Sequence, residues 1–228
     1  MIKNIIMAKQ CFNFLKKCKV LLKIHKKWGI FAMKTIKNAD FLKSIANAED
    51  YKSFNLPEII LVGRSNVGKS SLINMLANNT KLAKVSATQG KTKLINFFLF
   101  NKEFVLVDLP GYGYAQASKV EQQKWTKMID GYIETTKNLV NAILLVDIRH
   151  KPTEQDIQMF DYLTFNNISV TIVATKYDKI KKSERMRKLG DIATALKVGL
   201  ENIYLVSSET SFGKDNLVNR IYQFVDGE

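Results

Sequence analysis

The residues with the most chemical content lie at 63–70: Gly63-Arg64-Ser65-Asn66-Val67-Gly68-Lys69-Ser70. The pattern G-x-x-x-x-G-K-[ST], set between an apolar run and an amphipathic one, is that of a phosphate-binding loop. Its glycines let backbone N–H groups curl around phosphate oxygens, and the helix that follows adds partial positive charge at its start. Lys69 is expected to reach β and γ phosphates, and Ser70 to ligate Mg²⁺ through its hydroxyl.

Such a loop serves ATPases, kinases and GTPases alike, so the choice falls on residues downstream. Asp108-Leu109-Pro110-Gly111 closes an apolar run. A carboxylate there can hold the Mg²⁺ water shell, and the Gly111 N–H can face a γ-phosphate. Thr175-Lys176-Tyr177-Asp178 closes another run. An acceptor-only carboxylate at Asp178 suits the N1–H and 2-amino group of guanine, whereas adenine presents an acceptor at N1 and no 2-amino group. Losing such paired donors costs a large discrimination factor. The Lys176 stem can lie over the base, and Ser207-Ser208, ending the next run, can offer backbone N–H groups to the guanine O6. Between these stations lies Gly90-Lys91-Thr92-Lys93-Leu94. A threonine here can bind Mg²⁺ while a γ-phosphate is present and let go after hydrolysis. Thr92 is preferred over Thr88, because Gly90-Lys91 places a flexible turn directly before it. Lys69, Thr92 and Gly111 are thus the candidate catalytic residues, and Ser70 and Thr92 the candidate metal ligands.

These stations need a scaffold, and the hydropathy pattern supplies one. Apolar runs predict strands at 58–63, 94–100, 104–108, 139–147, 168–175 and 203–207. Helical rhythm predicts helices at 69–76, 118–133, 153–163, 183–196 and 215–224. Strands alternating with helices imply an α/β protein of three layers with a mostly parallel sheet. One tight hairpin through Asn101-Lys102-Glu103 makes one edge antiparallel.

The chain has 228 residues, 46% hydrophobic and 25% charged, which excludes wholesale disorder. No apolar run approaches the roughly 18–20 residues that span a bilayer. Cys11 and Cys18 cannot build a disulfide framework, which points to a reduced, cytoplasmic protein. The formal net charge of +14 predicts attraction to polyanions. It is uneven, however. Residues 1–32 hold eight Lys and no acid, leaving +6 for the other 196 residues. Three readings of 1–32 stay open: a basic amphipathic helix for RNA or membrane, a transit peptide, or a tail or upstream sequence outside a domain that starts at Met33. Only five of the 35 basic residues are Arg, which also fits plain compositional bias. Residues 33–228 form the expected nucleotide-binding domain, with 1–32 as an extension.

On these residues the chain resembles the EngB (YihA/YsxC) family of bacterial GTPases, within the Era-like class. The resemblance covers roughly 38–226 and rests on GRSNVGKSSLIN at 63–74, GKTKLINFF at 90–98, DLPGYGYA at 108–115, DIRHKPTEQD at 147–156, TKYDK at 175–179 and SSE at 207–209. It implies a P-loop NTPase fold of the small-GTPase type, GTP and GDP as ligands with Mg²⁺, and a role in large ribosomal subunit assembly needed for normal cell division and septation. It implies the large subunit or its rRNA as partner and a monomer. It also implies nucleotide contacts at 63–70, at 90–94, at Asp108, Leu109, Pro110 and Gly111, at Thr175, Lys176, Tyr177 and Asp178, and at Val206, Ser207 and Ser208. Asn66 is similar to the position that ligates K⁺ in several related GTPases. Gln89 stands where the family usually has Pro.

Ras-type GTPases place a glutamine after the Asp-x-x-Gly glycine to orient the attacking water. Here Tyr112 stands there, and a phenol cannot repeat an amide's donor and acceptor pairing. Slow intrinsic hydrolysis, completed by a partner, is the expectation. Tyr112 and Tyr114 either stack on RNA bases or pack under the following helix. Arg149 is either an RNA contact or half of an internal salt bridge. His25 and His150 lie in no Cys/His cluster, so no zinc site is expected. Two alternatives remain open: a P-loop ATPase or kinase, and a membrane-surface division protein recruited by 1–32.

Overall fold

The computed structural model describes residues 34–84, 94–113 and 119–227, with side chains from 126 onward in the last stretch. The description concerns the unit Thr35–Glu228. Residues 1–32 lie outside the described residues, as do Thr88, Gly90, Lys91, Thr92, Lys93 and Tyr114.

Seven strands form one sheet: β1 (Ala39–Ile45), β2 (Glu58–Gly63), β3 (Ile95–Phe100), β4 (Phe104–Asp108), β5 (Leu139–Asp147), β6 (Val170–Thr175) and β7 (Ile203–Leu205). The helices are α1 (Lys69–Ala77), α2 (Lys119–Thr135), α3 (Glu154–Phe165), α4 (Arg185–Leu196) and α5 (Lys214–Val225). The strand order is β1-β3-β4-β2-β5-β6-β7. β2, β4, β5, β6 and β7 pair in parallel, while β3 runs antiparallel to both β1 and β4. The expected mostly parallel sheet with an antiparallel edge is therefore present, with β1 added outside the hairpin.

The central strand explains the layering. Every residue of β2 is buried, as a strand covered on both faces requires. Ile59 and Leu61 face a cluster with Leu72, Ile73 and Leu76 of α1 and Leu217, Val218 and Ile221 of α5. Ile60 and Val62 face the opposite cluster, with Ile129 of α2, Leu163 of α3 and Ile192 of α4. Alternation at period two thus feeds two cores.

β1 escaped the sequence reading for a physical reason. It is an edge strand whose register shifts between Phe41 and Lys43, and its burial does not alternate cleanly. At the opposite end of β2, the buried Glu58 carboxylate accepts the Tyr51 hydroxyl at 2.5 Å, the Thr136 hydroxyl at 3.0 Å and the Tyr132 hydroxyl. A buried charge is tolerable when its lone pairs are filled in this way. The arrangement fixes the end of α2 to the base of β2.

Candidate nucleotide site

The described stations read from the sequence lie at or just after the carboxyl ends of strands: β2 runs into the loop 63–70, β4 ends at Asp108, β6 at Thr175, and β7 leads to Ser207, with Asp147 at the end of β5 among them. In open α/β sheets that rim is where ligands bind.

The loop itself is built for close backbone approach. Asn66 (φ 63°) and Gly68 (φ 115°) take left-handed conformations that turn the chain into α1. A side chain at Gly63 would strike Val67 Cγ1 at 2.9 Å and the Leu145 carbonyl at 3.0 Å. The buried Val67 holds the loop to the core, and the Thr175 hydroxyl donates to the Val67 carbonyl at 2.7 Å. α1 opens at Lys69 with Gly68 as its N-cap, which leaves first-turn N–H groups aimed along the axis toward a bound anion.

Lys69 and Asp108 form the electrostatic centre. Asp108 is 4% exposed, and its register partner on β2 is Leu61, two residues before the loop begins. Burial pushes its carboxyl up, while Lys69 and a hydrogen bond from Asn96 work against that shift. Burial likewise pushes Lys69 down, opposed by Asp108. A phosphate beside Lys69 and a divalent cation beside Asp108 would favour the charged form of each. Asp108 Oδ1 is buried without a hydrogen-bond partner, which fits the water shell of Mg²⁺, with Ser70 in the first turn of α1 to supply a direct oxygen. No group of three or more His, Cys, Asp or Glu among the described residues could hold a metal alone.

Residues 111–113 fold back over the loop. The Ser65 N–H donates to the Tyr112 carbonyl at 2.8 Å, and the Tyr112 N–H to the Gly63 carbonyl at 3.3 Å. The Tyr112 hydroxyl is buried and donates to Asp156 Oδ1 at 2.8 Å. Asp156 also caps α3, accepting from the Thr153 N–H at 2.8 Å. Tyr112 is buried and tied to Asp156 of α3, so its ring is not free to stack on RNA.

The base side is equally ordered. Lys176 (φ 60°) places Nζ 2.8 Å from the Asn66 carbonyl and 2.9 Å from Asp147 Oδ2, which ties this strand end to the phosphate loop. Arg149 pairs with Asp147 at 2.7 Å, the internal salt bridge rather than a free cation. Asp178 Oδ1 accepts the Ser207 hydroxyl at 2.7 Å, and Oδ2 lies 3.0 Å from Lys179 Nζ. Burial would raise the Asp178 carboxyl, but these bonds from Ser207 and Lys179 outweigh it and hold the group below its ordinary value. It is thus an ionised acceptor at neutral pH.

Several assigned residues take narrower roles than expected. The Val206 N–H donates to the Ala174 carbonyl, and the Ser207 N–H to the Phe212 carbonyl. Neither is available to a guanine O6, which leaves Ser208 for that contact. Leu109 is fully buried and Pro110 is buried beside it, so both shape the turn while Gly111 lies at its surface. Leu94, the described end of its loop, is exposed. Asp147 and Asp156 join the site without any motif assigning them a role, although Thr153 and Asp156 carry the spacing of a helix-capping pair.

Comparison with known proteins agrees with this geometry. A family model described as "50S ribosome-binding GTPase" matches residues 58–176. The chain is 48% identical over 191 residues to the probable GTP-binding protein EngB of Pelotomaculum thermopropionicum, covering 83% of this chain and 96% of that one. It is 48% identical over 187 residues to its counterpart from Clostridium acetobutylicum, covering 82% and 94%. A crystal structure of a probable GTP-binding protein EngB superposes with a TM-score of 0.64 at 26% identity, over 75% of this chain and all of that one.

Proposed function

The chain belongs to the EngB family of GTP-binding proteins, P-loop GTPases, and we propose that it acts as a nucleotide-gated switch in assembly of the large ribosomal subunit, on which normal cell division and septation depend. The ATPase and kinase alternative falls with family membership. What carries the proposal is the match to a family described as a 50S ribosome-binding GTPase. The protein is proposed to work as a cytoplasmic monomer with the large subunit or its rRNA as partner. No helix among the described residues is long and apolar enough to cross a membrane.

In this proposal the backbone of 63–70 cradles the phosphates, and Lys69 neutralises the β and γ oxygens. Ser70 and Thr92 would hold Mg²⁺, with Asp108 ordering its water shell, and the metal would supply charge neutralisation at the phosphates. The Gly111 N–H faces the γ-phosphate, so 86–93 and 111–117 are the segments that respond to its loss. Asp178 reads guanine, with Lys176 along the base and Ser208 at O6.

Hydrolysis by the protein alone is slow. Tyr112 stands where a water-orienting glutamine would stand, and its hydroxyl is committed to Asp156. Asn66, exposed on the loop, is the proposed K⁺ ligand. The test is GTP turnover and co-sedimentation with large ribosomal subunits, in GTP-analogue and GDP states, in K⁺ and in Na⁺. Binding in one nucleotide state only, with turnover raised by subunits, is expected. Fast turnover of the pure protein sinks the partner-completed mechanism, and equal turnover in the two salts removes K⁺.

A further inference from the structure

Asp178 can discriminate guanine only if its carboxylate is held at the right angle to the base edge, since hydrogen bonds weaken steeply with misalignment. What holds it is a closed circuit of contacts. The Ser207 hydroxyl donates to Asp178 Oδ1 at 2.7 Å. The Ser207 N–H donates to the Phe212 carbonyl at 3.1 Å. The Phe212 ring stacks on Tyr177, centroids 4.7 Å apart and planes at 22°. Tyr177 precedes Asp178 in the chain, which closes the circuit.

Arg185, the first residue of α4, adds a third layer. Its guanidinium carbon lies 4.2 Å from the centre of the Tyr177 ring. Two planar groups at these distances cannot share one face of a six-membered ring, so Tyr177 is clamped between Phe212 and Arg185. Arg185 Nε is buried and makes no hydrogen bond, so stacking on the ring is what the side chain gains there. Phe212 is 49% exposed and belongs to neither core cluster. An aromatic side chain left half in water on a loop, outside the core, is explained by the one ring it covers. Its backbone is fixed as well. Gly213 takes φ 77°, and a side chain there would meet the Leu205 carbonyl at 1.9 Å, so the turn into α5 sits tight against β7.

We infer that Phe212 and Arg185 are positioning residues for guanine recognition: they clamp Tyr177 and thereby set the Asp178 carboxylate against the N1–H and 2-amino edge of the base. This inference rests on the guanine reading of Asp178. Neither residue belongs to the phosphate loop, the metal ligands or the base contacts.

The experiment compares GDP with inosine diphosphate, which keeps N1–H and lacks the 2-amino group. Phe212→Ala is expected to lower the GDP-over-inosine-diphosphate affinity ratio about threefold to tenfold, the worth of one aromatic pair. Phe212→Tyr restores the ratio, and Arg185→Ala lowers it in the same direction. A merely structural role would weaken both nucleotides by one factor and leave the ratio alone; that result overturns the inference. Asp178→Asn is the control that separates the two levels. If it collapses the ratio while Phe212→Ala does not, the clamp falls and the guanine site stands. If Asp178→Asn leaves the ratio intact, the guanine reading falls and the clamp with it.

Discussion

At the scale of single residues, what the sequence disclosed was what is contiguous in the chain. The loop 63–70 and the stretch 175–178 carry their chemistry in neighbouring residues, so spacing alone betrays them. Asp147, Asp156 and Phe212 also act through partners far along the chain: Lys176, Tyr112 and Tyr177. No local pattern records such pairings. Gly111 is a case where sequence and structure meet. A side chain there would stand 2.9 Å from the Ser65 nitrogen and 3.0 Å from Lys69 Nζ. The lysine end can move, but the loop backbone cannot give without losing its cradle. Gly111→Ala should therefore slow GTP hydrolysis by about a hundredfold, the cost of misplacing one transition-state donor. Its GDP affinity, set mainly at the loop and base, should change far less. Single-turnover hydrolysis beside GDP titration checks this; equal damage to both would show that the change disrupts the loop itself.

At the scale of elements, the fully buried strands were legible and the edge was not. β2 and β5 read as largely apolar runs, interrupted only by Glu58, Asn141 and Asp147, because both faces are covered along most of their length, whereas β1 mixes exposed and half-buried residues across its register shift. The end of β5 shows how an element positions chemistry. Asp147 gathers Arg149 and Lys176, and through Lys176 it draws the β6 end to the phosphate loop. Burial alone would raise its carboxyl, but the bonds from Arg149 and Lys176 bring it down to about 2. An unfolded Asp titrates near about 3.9. The folded value is the lower one, so this stabilisation is complete above the unfolded value and is lost as pH falls toward about 2. Asp147→Asn should be less stable than the parent at neutral pH, and the two should converge as the pH approaches about 2. Urea midpoints across that range decide it. A constant gap down to the lowest pH would mean that the ion pairs contribute nothing. The variant should also bind nucleotide more weakly at neutral pH, since Lys176 loses its carboxylate.

Across the whole molecule, a pattern invisible to any motif ties distant elements together: tyrosines, four buried and Tyr162 half-buried, donating to carboxylates. Tyr51 and Tyr132 donate to Glu58, Tyr112 to Asp156, Tyr162 to Asp130 at 2.5 Å, and Tyr222 to Glu103 at 2.5 Å. These contacts bind α2 to β2, the turn after β4 to α3, α3 to α2, and α5 to the β3–β4 turn. In each case burial raises the phenol, and the neighbouring carboxylate raises it further; Tyr51 and Tyr222 are pushed up to about 12. An unfolded tyrosine ionises near about 10. Below that pH both states keep their protons and the contribution is whole. Above it the unfolded chain releases protons that the folded chain retains, so stability falls with rising pH through the raised folded values. Five phenols acting together make this a steep limb, because each adds its own proton to the linkage. The protein should therefore resist base up to about pH 10 and then unfold cooperatively before the phenols titrate in place. Of the eight tyrosines, the phenolate absorbance of these five should develop together with the loss of helical circular dichroism. If the absorbance of all eight instead develops at about pH 10 with the helical signal intact, these five are solvated and the carboxylate pairs do not hold the elements together.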